Sequence, residues 1–190
     1  MIVRETLPEA QREAAAALFW EAFEGKLGPA LGPREKALTW IERAIHPRYA
    51  VCALGGGRLL GVAGYKTRSG GLIGGGFADL ARVYGMGALW RGLALSLFER
   101  PVEPGVLLMD GIFVAEGARG LGVGTRLLSA VEQVARREGA RAVRLDVVDG
   151  NRARGLYERR GFREVARTRT GWAAPLMGFE GASVMELPLT

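Results

Sequence analysis

An apolar stretch ending at Val114, a turn reading R-G-L-G-V-G over 119–124, and an amphipathic run T-R-L-L-S-A-V-E-Q-V-A-R-R-E-G over 125–139 follow in close succession. A strand that turns through glycines into a helix predicts an α/β layer, because each element needs the other to cover its apolar face. The helix is expected over 125–138, with Leu127, Leu128, Val131, Val134 and Ala135 inward and Gly139 as its stop. Glycines let backbone approach a ligand closely, and a helix start offers unpaired N–H groups at the positive end of its dipole. The junction therefore suits a pyrophosphate. Two common phosphate loops do not fit: G-x-G-x-x-G would need glycine where Leu127 stands, and no G-K-[ST] occurs.

The 190 residues suit one domain with a sizeable core. No stretch approaches the ~20 apolar residues of a membrane span, so no membrane partner is expected. The opening M-I-V-R-E-T-L lacks the layout of a signal peptide, and a cytoplasmic location is expected. Cys52 is the single cysteine and lies in A-V-C-A-L, which reads as a buried thiol rather than a nucleophile. His46 is the single histidine, and neither G-x-S-x-G nor H-E-x-x-H occurs, so no metal is expected. The net charge of +6 is almost wholly arginine, with lysine only at 26, 36 and 66. These arginines are scattered, most densely at 152, 154, 159, 160 and 163. They read as compositional bias and as counter-charge for an anionic ligand, not as a nucleic-acid surface.

Residues 2–5 alternate as a strand. Thr6 and Glu9 have capping-box spacing and Pro8 suits a first turn, predicting a helix to about Gly25 with Ala14, Ala17, Leu18 and Glu21 on successive turns. Gly28-Pro29 and Gly32-Pro33 read as its break. A second helix is expected over 34–45, with Ala37, Leu38, Ile41 and Ile45 on one face. Tyr49–Leu54 and Leu59–Tyr65 flank Gly55-Gly56-Gly57 as a hairpin. Residues 66–76 read as a loop, and 77–98 as an apolar helix whose Asp79, Arg82 and Arg91 argue against a membrane role. Strands over 106–114, 142–148, 162–169 and 183–188 alternate with helices over 125–138 and 151–160, the pattern of a parallel α/β unit.

The run Arg119-Gly120-Leu121-Gly122-Val123-Gly124 resembles the acyl-CoA signature [QR]-x-x-G-x-[GA] of the GNAT superfamily of N-acetyltransferases. A second run, N-R-A-R-G-L-Y-E-R-R-G-F over 151–162, is similar to that family's Asn…Leu-Tyr…Gly-Phe element, with Gly155 a departure beside a position that is usually small. The two cover about 110–165. The resemblance implies an α/β fold: a central mixed twisted sheet of about six or seven strands, helices on both faces, and a helical insert between strands 3 and 4. One GNAT domain over 1–190 is implied, with the insert at about 66–104. It implies acetyl-CoA as cosubstrate and a primary amine as acceptor, joined by direct attack in a ternary complex.

Backbone N–H groups of Gly120, Leu121, Gly122, Val123, Gly124 and Thr125 are then expected around the pyrophosphate, with Arg119 adding charge or fixing the loop. The strands over 106–114 and 142–148 are expected to splay, the pantetheine arm lying between them like an added strand. Phe113 or Val114 would offer an N–H to the thioester oxygen, and Asn151 would orient the arm. By the same resemblance Tyr157 is the general acid. Asp110 is the first candidate for the base, with a hydrogen-bonded bulge carboxylate as the equal alternative. Glu21 and Glu24 come next, and His46 last. The insert at 66–104 is expected to cover the acceptor site or to form a homodimer interface. Trp172, Met177 and Phe179 could add an apolar wall. A non-catalytic acyl-CoA-binding domain, or a transferase for a longer acyl or aminoacyl group, are the rival readings.

Overall fold

Alternating side chains commit each strand of this chain to two different apolar layers, and the sheet between those layers positions everything else. The computed structural model describes residues 1–96, 100–169 and 181–189. Its elements are β1 (Ile2–Arg4), α1 (Arg12–Leu31), α2 (Arg34–Ala44), β2 (Ala50–Gly55), β3 (Arg58–Thr67), β4 (Gly70–Gly71), α3 (Phe77–Tyr84), α4 (Ala88–Ser96), β5 (Val106–Val114), α5 (Val123–Arg137), β6 (Ala142–Val148), α6 (Arg154–Arg159), β7 (Arg163–Arg169) and β8 (Gly181–Pro188). Seven strands form one mixed sheet in the order β1-β2-β3-β5-β6-β8-β7, and β4 pairs with β3 outside that path. β5 and β6 run parallel, and α5 is the crossover such a pair requires.

Along β2, Ala50 and Cys52 enter the layer under α1 and α2, while Val51 and Ala53 enter the layer under α5. Gly56 and Gly57, with φ of 56° and 76°, form the two-residue turn of the β2–β3 hairpin. Helix α5 lays Leu127, Leu128, Val131, Val134 and Ala135 on the sheet, all buried. It sits close because Gly61 of β3 has no side chain: a Cβ there would lie 2.8 Å from the Phe113 carbonyl oxygen and 3.3 Å from Leu127 Cδ1. Cys52 is fully buried, its thiol donates to the Thr6 carbonyl at 3.6 Å, and burial pushes its pKa up. It is the inert thiol its neighbours in sequence suggest.

Several expectations need correction. The Thr6–Glu9 capping box does not form. A 3₁₀ turn over Glu9–Gln11 precedes α1, and Glu9 pairs with Arg12 at 2.8 Å instead. Gly28-Pro29 does not break α1, which carries Pro29 inside it and runs on to Leu31. Burial of Leu27, Ala30 and Leu31 outweighs the hydrogen bond that proline cannot make. The buried face of α1 is Ala15, Ala16, Phe19 and Trp20, with Leu18 partly buried against it, while Ala14 and Glu21 are exposed. In α2 the buried set is Ala37, Trp40, Ile41 and Ala44. Helix α5 begins two residues early, at Val123, and α6 covers only Arg154–Arg159.

The expected single helix over 77–98 is two, α3 and α4, separated by a 3₁₀ turn at Gly85–Gly87 where Gly85 has φ of 56°. Leu97 and Phe98 lie outside the described residues. The insert is docked on α1: the Tyr84 hydroxyl donates to the Leu31 carbonyl, and the Arg91 guanidinium stacks on Tyr84 and Trp90 at 4.4 and 4.3 Å from their ring centres. Its outer face exposes Met86, Leu89 and Leu93, and a homodimer contact through the insert would have to form there. No helix among the described residues is long and apolar enough to cross a membrane. Within the dense arginine cluster, Arg154 pairs with Glu158 and Glu164, and Arg160 with Glu132. Those charges are spent on fixing α6.

Candidate active site

β5 and β6 begin as neighbours and then part. Their ladder joins Val106–Leu108 to Ala142–Arg144 and goes no further, although β5 runs on to Val114 and β6 to Val148. The facing edge of β5 beyond Leu108 is therefore open to an added extended chain. The parting coincides with a bulge. Gly64 opposes Gly111 and Tyr65 opposes Met109, which leaves Asp110 as the extra residue.

A cavity of about 940 Å³ opens at this place. Asp110 and Phe113 from β5, Asp146 and Val148 from β6, and Asn151 and Tyr157 from the α6 region line it. Asp110 is partly buried, and desolvation raises its carboxyl from 3.8 to about 6, against the opposing pull of the Leu72 backbone amide and the Lys66 ammonium. Tyr157 is 6% exposed, its ring 5.8 Å from that of Phe162, and burial pushes its hydroxyl up to about 12. The phenol thus stays protonated across the physiological range. Asn151 Oδ1 accepts the Ala153 N–H at 2.9 Å, so half of this side chain holds the turn into α6 and the NH₂ end is left for other partners.

Beyond the end of β5 lies the glycine turn. Gly122 precedes α5 with φ 76° and ψ 8°, no side chain caps the helix, and its first turn holds no acid. The N–H groups of Val123, Gly124 and Thr125 consequently lack helical partners. Gly120 and Gly122 both have φ near 77°, at 78° and 76°, and a Cβ on either would meet nothing within 4 Å. Glycine is required there by the backbone, not by crowding. Gly124 has a different reason: its Cβ would lie 3.0 Å from Leu156 Cδ2, so its absence lets α6 close on α5. Arg119 Nε donates to the Val114 carbonyl at 3.3 Å and ties the turn to the strand. Leu121 is 69% exposed on the outside of the turn, and Val123 is buried beneath it.

The sequence matches the acetyltransferase (GNAT) family over residues 12–162. The chain belongs to that family. Solved structures share the fold of this GNAT chain along its length. A ribosomal-protein-alanine N-acetyltransferase from Brucella melitensis is 21% identical, covers 100% of each chain and superposes with a TM-score of 0.66. A GCN5-related N-acetyltransferase from Kribbella flavida is 24% identical over 99% of this chain and 97% of its own, with a TM-score of 0.64. A Salmonella typhimurium structure with its cofactor acetyl-CoA is 17% identical over 100% and 94%, with a TM-score of 0.63. No curated protein matches the chain.

Within this GNAT fold, the predicted residues Asp110, Phe113, Asn151 and Tyr157 meet in one cavity. Val114 is the last residue of the same strand, and Arg119 to Thr125 lie past its end. Glu21 and Glu24 do not join them: both are exposed on α1 and neither lines the cavity. His46 is also exposed and outside it, its ring packed by Gly74, where a Cβ would come within 2.1 Å of His46 Cδ2. Trp172, Met177 and Phe179 lie outside the described residues. The sequence reading missed Phe19, Phe23 and Trp40, which line the cavity with Phe77, Leu80 and Leu95 of the insert. No spacing along the chain brings these six together, because they come from four helices.

Proposed function

We propose that this GNAT protein transfers the acetyl group of acetyl-CoA to a primary amine by direct attack in a ternary complex. What supports the reading is one coincidence: the open edge of β5, a buried phenol and a partly buried carboxylate face a common cavity, with an uncapped helix start just beyond the same strand. The amides of Gly120 and of Gly122 to Thr125 hold the pyrophosphate, the Leu121 N–H donating instead to the Ala118 carbonyl at 3.4 Å, and the edge of β5 takes the pantetheine arm, which the Asn151 amide helps to orient. The Phe113 or Val114 N–H donates to the thioester oxygen as it becomes an oxyanion. The amine nitrogen forms a bond to the carbonyl carbon and turns cationic. Asp110 then accepts its proton, directly or through a water, while the C–S bond breaks and Tyr157 protonates the departing sulfur.

The amide turn is tested by ligand-linked stability. Acetyl-CoA at 100 times its Kd is expected to stabilise the protein by about 2.7 kcal/mol. Gly122→Asp places a carboxylate among those amides and is expected to cost at least about tenfold in acetyl-CoA affinity by calorimetry, or about 1.4 kcal/mol. Undiminished affinity in a folded Gly122→Asp protein would move the pyrophosphate elsewhere.

Asp110 carries a pH signature. The base must be ionised, so kcat/KM is expected to rise with pH through about 6, the value its burial sets. Lys66, Arg100 and Asp146 also line this cavity, and Asp146 is paired with the Arg100 guanidinium. Asp110→Asn should erase the limb. The stability sign is opposite to that of a salt-bridged acid. Because the folded pKa of about 6 exceeds the ordinary carboxyl value of 3.8, the native state holds the proton more tightly, and stability falls as pH rises from about 4 to above 6. Asp110→Asn is therefore expected to raise Tm at pH 8 and to leave it unchanged near pH 4. An unaltered pH profile in that variant would remove Asp110 from the base role.

A further inference from the structure

The acceptor side of the cavity is built from aromatic and aliphatic side chains. Phe19, Phe23 and Phe113 form a continuous wall, with ring centres 4.8, 5.4 and 5.5 Å apart in tilted and edge-on pairs. Phe77, Leu80 and Leu95 of α3 and α4 stand over the same space. Phe77 is 57% exposed although it lines the cavity, which places it at the rim.

The end of the insert closes another side. Lys66 of β3 donates from Nζ to the Arg100 carbonyl at 3.3 Å, and the Arg100 guanidinium pairs with Asp146 of β6. Since β5 lies between β3 and β6, Arg100 forms a strap across β5. Lys66 stands opposite Leu108 in the β3–β5 ladder, which sets the strap just before Asp110. Asp146 is occupied by Arg100, so Asp110 is the carboxylate left facing the apolar wall.

Size completes the argument. The cavity of about 940 Å³ must hold the acyl arm as well as the acceptor, and the pocket for a single drug-sized ligand is itself about 300–1,000 Å³. We propose that the acceptor is a small primary amine on an aromatic or compact apolar body, an arylalkylamine in chemical class. Its ring lies against the Phe19–Phe23–Phe113 wall under the insert, and its nitrogen points to Asp110. The Arg100 strap and the roof of α3 and α4 narrow the space around Asp110, which favours such a compact acceptor over one carried on a polypeptide or a polycation. This rests on the transferase reading above and narrows it.

The test compares phenethylamine and tryptamine with methylamine, spermidine and an alanine-led hexapeptide, using thiol release from acetyl-CoA and calorimetry on the CoA-bound protein. The arylalkylamines are expected to exceed spermidine and the peptide at least about 100-fold in kcat/KM, a difference of about 2.7 kcal/mol. Gly92→Leu supplies a variant that keeps the fold. Gly92 lies in α4 and lines the cavity, and a Cβ there makes ordinary contacts of 3.7 and 3.8 Å with Phe77 and Leu80. The longer side chain fills the roof. It is expected to raise KM for phenethylamine about tenfold or more, with little change for methylamine. Preference for the peptide or spermidine, no arylalkylamine binding to the CoA complex, or equal KM values in Gly92→Leu would each overturn the proposal. Failure of acetyl-CoA itself to bind would instead overturn the transferase reading.

Discussion

Tyr157→Phe is expected to lower kcat about 100-fold or more, within the range that positioned acid catalysis supplies, and to leave acetyl-CoA affinity unchanged. The substitution removes one oxygen and keeps the ring that packs on Phe162. Proton affinities explain why the hydroxyl matters. In water, a phenol at about 12 would be a poor donor to a thiolate whose ordinary pKa lies near 8.5. The cavity that raises the phenol by desolvation penalises a sulfur anion in the same way, however, and brings the two values together. Burial therefore keeps Tyr157 protonated at any pH where an amine can attack, and makes an unprotonated leaving group costly. The loss should deepen as pH rises and protonation of the leaving sulfur becomes limiting. A variant with kcat within about threefold of the parent across that range would show that the sulfur leaves unaided, and would remove Tyr157 from the acid role.

Leu127→Ala is expected to destabilise the fold by about 3 kcal/mol, with urea unfolding showing a lower midpoint and an unchanged slope. Leu127 is fully buried, and it lies over Gly61, where the sheet offers bare backbone to α5. The cavity left by the substitution has no flexible neighbour on that side to fill it. A loss of this size is a large part of the roughly 5–15 kcal/mol that holds a domain together. It should also loosen the amide turn, since Val123 and Leu127 anchor the first turns of the same helix on β3. Destabilisation below about 1 kcal/mol would mean that α5 can settle into the space, and that its seat on Gly61 is not tight.

Much of the site was legible because its signals are local. The glycines at 120 and 122 announce a backbone that only glycine adopts readily, and the structure holds both in the left-handed region. The spacing of Leu127, Leu128, Val131 and Val134 states which face α5 buries. Asp110 next to Gly111 marks an interruption in a strand, and the structure makes it a bulge. The face of α1 was misread for an equally physical reason. Its run A-A-A-A-L-F-W is apolar all round, so no period distinguishes Ala14 from Ala15. Burial then goes to whichever face the sheet meets. The same ambiguity hid Phe19 and Phe23, whose value lies in reaching Phe113 of β5.

Element order and the turn that presents its amides follow from contacts within a few residues along the chain, whereas Tyr157 and Asp110 were singled out by resemblance to the family. Periods of two and 3.6 and the special freedom of glycine encode such contacts directly. Packing decided the rest: which carboxylate stands alone in the cavity, how far burial lifts its pKa, and which helices wall and roof the space around it. Those properties arise when Phe23, Leu80, Asp110 and Asp146 are brought to one place by closure of the sheet and docking of the insert. The field at a carboxylate depends on everything within a few ångströms of it, whatever its position in the chain.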